Sequence, residues 1–128
     1  MIASIRAGIR LLLFFTVTLL TVLSVGLGNL LLSIFNRHWS VRWKNKCIKN
    51  WARVTGVIIG LKLNVEGTSP EPPFFLVSNH LSYIDVVPLW AHLDATFVAK
   101  SEVKSWPFFG WGTRTLGVLF IDRNLKRD

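Results

Sequence analysis

Residues 74–87 read FFLVSNHLSYIDVV, and the fold depends on how this stretch divides. Residues 74–77 form a short continuous apolar run of the kind buried on both faces of a sheet, so a strand is expected there. Ser78, Asn79 and His80 close the run with polar groups. Ser82 is placed to cap a helix beginning near Tyr83, with Asp85 at its third position and an apolar face continuing through residues 86–90. Pro88 lies too deep for an undisturbed helix, so a short or kinked one is expected.

Upstream, residues 57–67, VIIGLKLNVEG, are rich in β-branched and apolar side chains and read as a strand or bent strand pair. EGTSPEPP then supplies a turn stiffened by three prolines. Downstream, TFVA at 96–99 reads as a second short strand, 100–111 as a short helix and a loop, and GVLFI at 117–121 as a third strand. Strand, helix, strand, helix, strand over 74–121 implies an α/β fold, a central sheet with flanking helices. Ligand groups are then expected at the carboxyl ends of the strands.

The 128-residue chain has room for one modest domain. With 51% hydrophobic and 17% charged residues it is too apolar for an average soluble domain. Its net charge of +8 is uneven: residues 1–65 hold nine Lys and Arg and no acid, whereas 66–128 hold six bases against seven acids. The cations flank the most apolar run, which fits anionic phospholipid headgroups better than nucleic acid, and no nucleic-acid partner is expected. Cys47 stands alone and cannot form an intrachain disulfide.

That run, residues 11–35, is uncharged and long enough as a helix to cross a hydrocarbon core about 30 Å thick. A retained N-terminal membrane helix over 1–35 is expected. A signal peptide and a buried or interfacial hairpin are the alternatives, the latter because Gly26, Gly28 and Asn29 could weaken or bend the helix. Over 36–56, Trp39, Trp43, Cys47, Trp51 and Val54 fall in a stripe about 120° wide, opposite Arg42, Lys46, Lys49 and Arg53. The pattern suits a basic amphipathic interfacial helix, or else a helix whose aromatics pack on the domain core. Six Lys and Arg in 37–53 outnumber the two before the run, which for a single crossing places residues 57–128 on the cytoplasmic side.

His80 and Asp85 would sit about 140° apart on one helix and on opposite faces of one strand, so neither regular element lets them meet. A strand ending at His80, a turn, and a helix from Ser82 would let Asp85 fold back to the imidazole. The carboxylate would then accept the Nδ1 hydrogen and leave Nε2 to take a proton from an alcohol. Satisfied structural polar residues and metal ligation remain the other readings of the pair. His38 and His92 have no metal-type spacing with Cys47 or the acids, and no GxSxG nucleophile motif is present.

NHLSYID, then AKSEVKSWPFFGW at 99–111, then GVLFIDR at 117–123, in this combination and order, resemble the phospholipid-synthesis glycerophosphate acyltransferases, most closely the 1-acylglycerol-3-phosphate O-acyltransferase group. The resemblance covers about residues 55–128. It implies that His80 is the general base, that Asp85 orients it, and that Asn79 is a local hydrogen-bonding residue. It makes Lys100, Glu102, Pro107 and Gly110 mainly architectural. Gly117, Phe120, Ile121, Asp122 and Arg123 match the family's glycine-to-arginine motif, with Gly117 and Arg123 at the acceptor's glycerol phosphate. A guanidinium fork suits phosphate, and an ion pair with Asp122 is the plainer role for it.

Family members continue into an EGT-type segment and a proline-bearing motif, whereas this chain stops at NLKRD; its own EGT at 66–68 lies upstream of His80, in the wrong order. A fragment or truncated product is therefore expected. The reaction the resemblance implies is transfer of a fatty acyl group from acyl-CoA or acyl carrier protein, as co-substrate and without a cofactor, to the hydroxyl of 1-acyl-glycerol-3-phosphate, lysophosphatidate. Another lysophospholipid or lipid-linked alcohol as acceptor, and a catalytically incomplete membrane-anchored binding or structural protein, are the alternatives.

Overall fold

A computed structural model describes residues 2–35, 37–71, 73–79, 82–107 and 109–122. Helix α1, Ile2–Phe35, is followed by α2, Arg37–Ile59. After a long irregular stretch come a 3₁₀ turn, Tyr83–Asp85, and α3, Val86–His92. Strand β1, Val98–Lys100, leads into a 3₁₀ segment, Ser101–Ser105, then α4, Phe109–Thr115, and β2, Leu119–Ile121. The architecture is α/β: a small parallel sheet flanked by helices and preceded by a long apolar helix consistent with a membrane anchor. β1 pairs with β2 in the register Val98↔Leu119, Ala99↔Phe120, Lys100↔Ile121.

α1 is about 50 Å long at about 1.5 Å per residue, and its segment Ile2–Leu32 is long and apolar enough to cross a membrane. It runs unbroken through Gly26, Gly28 and Asn29, where the sequence allows a break. Gly28 instead leaves room for the Trp43 indole, which a Cβ at that position would overlap, and Asn29 Oδ1 accepts a 2.6 Å bond from the Ser40 hydroxyl. α2 runs antiparallel along α1.

Polar links hold this hairpin along its length. Trp43 Nε1 donates to the Ser24 carbonyl at 3.1 Å, Ser24 Oγ lies 3.7 Å from Cys47 Sγ, and Trp51 Nε1 donates to Thr18 Oγ1 at 3.0 Å. The Thr18 hydroxyl in turn donates to the Phe14 carbonyl at 2.7 Å. Trp43, Cys47 and Trp51, three members of the stripe read from the sequence, thus face α1.

Gly60 ends α2. Its φ of 76° is open to glycine at little cost, and Leu61 N–H bonds Gly56 O at 2.8 Å while Gly60 N–H bonds Val57 O at 3.1 Å. That pattern satisfies the last helical carbonyls. Residues 57–59 are therefore helical, correcting the strand expected over 57–67: the growing helix adds one bond per residue, which outweighs the β preference of Val57, Ile58 and Ile59 until glycine stops it. The strand expected at 74–77 is also absent. No strand among the described residues pairs with it, and Phe75 is 90% exposed. An unpaired strand gains neither ladder bonds nor cover for its faces.

The core joins hairpin to sheet. Ile48 and Ala52 of α2 pack with Val87, Trp90 and Ala91 of α3 and with Val118, and Phe97, Ala99 and Phe120 close on them. Rings run through this core in sequence, with centroids 6.4 Å apart from Phe14 to Trp51, 5.7 Å from Trp51 to Trp90 and 4.7 Å from Trp90 to Phe97. Lys49 adds an ion pair to Asp94 at 3.1 Å, before β1.

Candidate functional site

The chain enters α3 through a reciprocal cap. Ser82 is extended, at φ −145° and ψ 149°, and its Oγ accepts the Ile84 N–H at 3.3 Å. Asp85 Oδ2 accepts the Ser82 N–H at 2.8 Å. Together they form a capping box. Its consequence is directional: the carboxylate is drawn back to the Ser82 amide, at the start of the turn. A carboxylate offers about four acceptor positions, so the cap and an imidazole partner are compatible. His80 itself lies outside the described residues, as does Arg123. Asn79 is exposed. The helix that follows is short, with Pro88 inside it.

The parallel register sets Lys100 beside Ile121, so Lys100 and Asp122 come to the same, carboxyl-terminal end of the sheet. Glu102 follows on the turn and pairs with Lys100. The Lys100 ammonium, by hydrogen bond first, together with backbone and Ser101 donors, holds the Glu102 carboxyl below its ordinary range. The edge contact of the Tyr83 ring with Trp106, centroids 5.7 Å apart, brings the capped turn to this end as well. Lys100, Glu102 and Asp122 thus share the carboxyl end of the sheet, and the Tyr83–Trp106 contact ties the turn that carries Asp85 to the segment following Glu102.

Pro107 and Gly110 shape the loop behind it. Gly110 N–H bonds the Trp106 carbonyl at 2.8 Å, and Gly110 packs so closely on the Lys104 carbonyl that any Cβ would overlap it. Arg114 completes the staple, donating to the carbonyls of Gly110 at 3.0 Å and Lys104 at 2.9 Å. Nothing in the sequence reading flagged Arg114; its spacing of four from Gly110 on a helix was the available signal.

Gly117 stands apart. It lies before β2, at the opposite end from Asp122; four residues, 118–121, rising about 3.3 Å each where extended, separate them. Its φ is 77°, its N–H bonds Arg114 O at 3.0 Å, and Val118 N–H bonds Thr113 O at 3.0 Å. Gly117 therefore terminates α4 as Gly60 terminates α2. Lys44 Nζ lies over it, where a cation meets the negative end of the helix. Phe120 is half-buried on the core, while Ile121 is exposed.

Residues 62–128 match the family model described as acyltransferase. The chain is 40% identical over 80 residues to a lyso-ornithine lipid O-acyltransferase of Rhizobium meliloti, covering 62% of this chain and 27% of that protein. It is 36% identical over 73 residues to one of Pseudomonas aeruginosa, covering 57% and 28%. To a 1-acyl-sn-glycerol-3-phosphate acyltransferase of Neisseria meningitidis it is 32% identical over 87 residues, covering 66% and 34%. The chain thus spans about a third or less of the length of these relatives. No solved structure matches it.

Proposed function

The chain belongs to the acyltransferase family, and from that premise we propose that the protein transfers a fatty acyl group to the free hydroxyl of a membrane lysolipid. The capping box supports the reading, because it turns the Asp85 carboxylate back to the Ser82 amide, at the amino-terminal side of the turn. Asp85 accepts the His80 Nδ1 hydrogen, and Nε2 removes the proton of the acceptor hydroxyl. The oxygen attacks the acyl thioester carbonyl of coenzyme A or acyl carrier protein. The C–S bond breaks, and the imidazolium gives its proton to the leaving thiolate, releasing the thiol.

Arg123 holds the acceptor's anionic head, since its fork suits carboxylate as well as phosphate. Asn79 hydrogen-bonds within the turn, and Lys100 adds positive field. Glu102, Pro107, Gly110, Gly117, Phe120, Ile121 and Asp122 position these groups. Of the acceptors, a lysolipid other than 1-acyl-glycerol-3-phosphate has the better support, because the lyso-ornithine lipid enzymes are 40% and 36% identical against 32% for the Neisseria enzyme.

α1 lies in the membrane in this reading. Its pairing with α2 from Arg10 to Asn29 favours a hairpin held in one leaflet, because a crossing would draw α2's cations into hydrocarbon at about 3 kcal/mol or more each. The excess of Lys and Arg over 37–53 favours the cytoplasmic leaflet.

Membranes carrying the chain, supplied with acyl-CoA or acyl carrier protein thioester, should acylate lyso-ornithine lipid in preference to 1-acyl-glycerol-3-phosphate. His80→Ala should lower turnover by about 10²–10⁴-fold with the fold intact. Turnover indifferent to that change rejects the base. A folded chain with no turnover favours an incomplete, membrane-anchored binding protein.

A further inference from the structure

Three rings outside the core share one surface beside the capped turn. Tyr83 is 73% exposed, Trp106 41% and Phe109 48%. Tyr83 meets Trp106 edge-on at 5.7 Å between centroids, and Trp106 meets Phe109 at 6.5 Å. They come from two separate regions of the chain, so sequence proximity alone does not account for the cluster. Exposed rings in contact with one another mark a surface that takes a partner.

The neighbours of the rings indicate which partner. α4, which carries Phe109, is seated on α1: Gly112 faces Val22 closely enough that a Cβ would stand 3.7 Å from it. α1 exposes Leu19, Leu20, Leu23 and Leu27 along the same stretch. The aromatic step is thus tied through one short helix to the apolar helix. Lys104, exposed, precedes Trp106 by two residues. Tyrosine and tryptophan with a neighbouring cation are the side chains that settle at the headgroup level of a bilayer, apolar ring inward and polar edge to water.

We propose that Tyr83, Trp106 and Phe109 form a second membrane contact, at the headgroup boundary of an anionic phospholipid bilayer, that seats the carboxyl end of the sheet on the surface where α1 is anchored. The contact holds the capped turn at the depth of a lipid's polar head instead of leaving it to swing on the hairpin. The inference rests on the membrane placement of α1 but not on acyl transfer.

Depth measurement tests it. In a Cys47→Ser background, Tyr83→Cys, Trp106→Cys and Phe109→Cys would each carry an environment-sensitive fluorophore, with Leu23→Cys and Glu66→Cys as the buried and aqueous references. The full chain would be reconstituted in vesicles of equal parts phosphatidylcholine and phosphatidylglycerol, with bromine at shallow or deep acyl positions. The expected result is blue-shifted emission at 83, 106 and 109, quenched by shallow bromines, with 23 quenched by deep bromines and 66 by neither. Quenching at 23 with labels at 83, 106 and 109 in water overturns the contact. Labels shielded from water yet unquenched by either lipid overturn it too, because protein then covers the rings. An unquenched label at 23 removes the membrane placement beneath both readings. Three independent label sites keep the outcome legible if one variant fails to fold.

Discussion

The hairpin and the strand-end region are built by opposite means. α1 and α2 meet repeatedly along their length, through Asn29 and Ser40, Ser24 and Trp43, Thr18 and Trp51, so the loss of any one link leaves others in place. The strand-end region has two three-residue strands and two short helices, and its geometry rests on single local devices: one capping box, one glycine contact, one arginine staple. Distributed contacts make a rigid frame, while isolated devices place particular groups. The two meet at Trp51, whose ring touches both Phe14 and Trp90.

Trp51→Ala is therefore the most damaging change expected. It should cost about 3–5 kcal/mol, the usual range for emptying a large aromatic site, read from the denaturant midpoint in micelles. If hairpin and sheet were independent, only one part would loosen; hydrogen exchange should instead show loss of protection in both α1 and α3. Trp51→Phe, which keeps a ring but removes the bond to Thr18, should cost only about 1 kcal/mol.

Gly110→Ala comes next. Its Cβ meets backbone, not a side chain that can turn aside, so about 1–3 kcal/mol is expected. The damage should stay within residues 100–115 and spare the hairpin, which amide exchange would resolve. Ser82→Ala should cost about 1 kcal/mol. The Asp85 carboxylate should keep its orientation, because the Ser82 N–H that it accepts belongs to the backbone and survives the change, so its NMR signal should hold while the unfolding midpoint falls.

The smallest effect is electrostatic. Glu102 has its pKa lowered by Lys100, so its ion pair contributes stability above the unfolded value of 4.5 and loses it as pH falls through the lower, folded value. Because the pair is exposed, the gain is slight. A carbon-13 titration should find the Glu102 midpoint below the ordinary range, and Lys100→Ala should raise it.

Local signals legible in the sequence were those with short-range causes. Ser82 and Asp85 announced the cap because a hydroxyl and a carboxylate three residues apart satisfy the first amides of a helix. Residues 96–99 and 117–121 pointed to the two strands, and the paired regions lie within or beside them. The strand expected over 57–67 failed because helix growth is cooperative and runs to its stop signal at Gly60. Phe74–Val77 had the composition of a buried strand, but composition supplies no partner. Gly117 was read with the phosphate group, and the structure adds that its backbone ends α4.

Sequence alone settled the α/β class, the apolar helix, the capped turn and the acyltransferase resemblance, because each is written in a periodicity, a cap or an ordered motif. Tertiary structure decided where the tryptophan stripe of α2 turns, which glycines carry helix ends, and that Tyr83 stands beside Trp106. Those depend on contacts between residues distant along the chain, and such contacts exist only once the helices have packed.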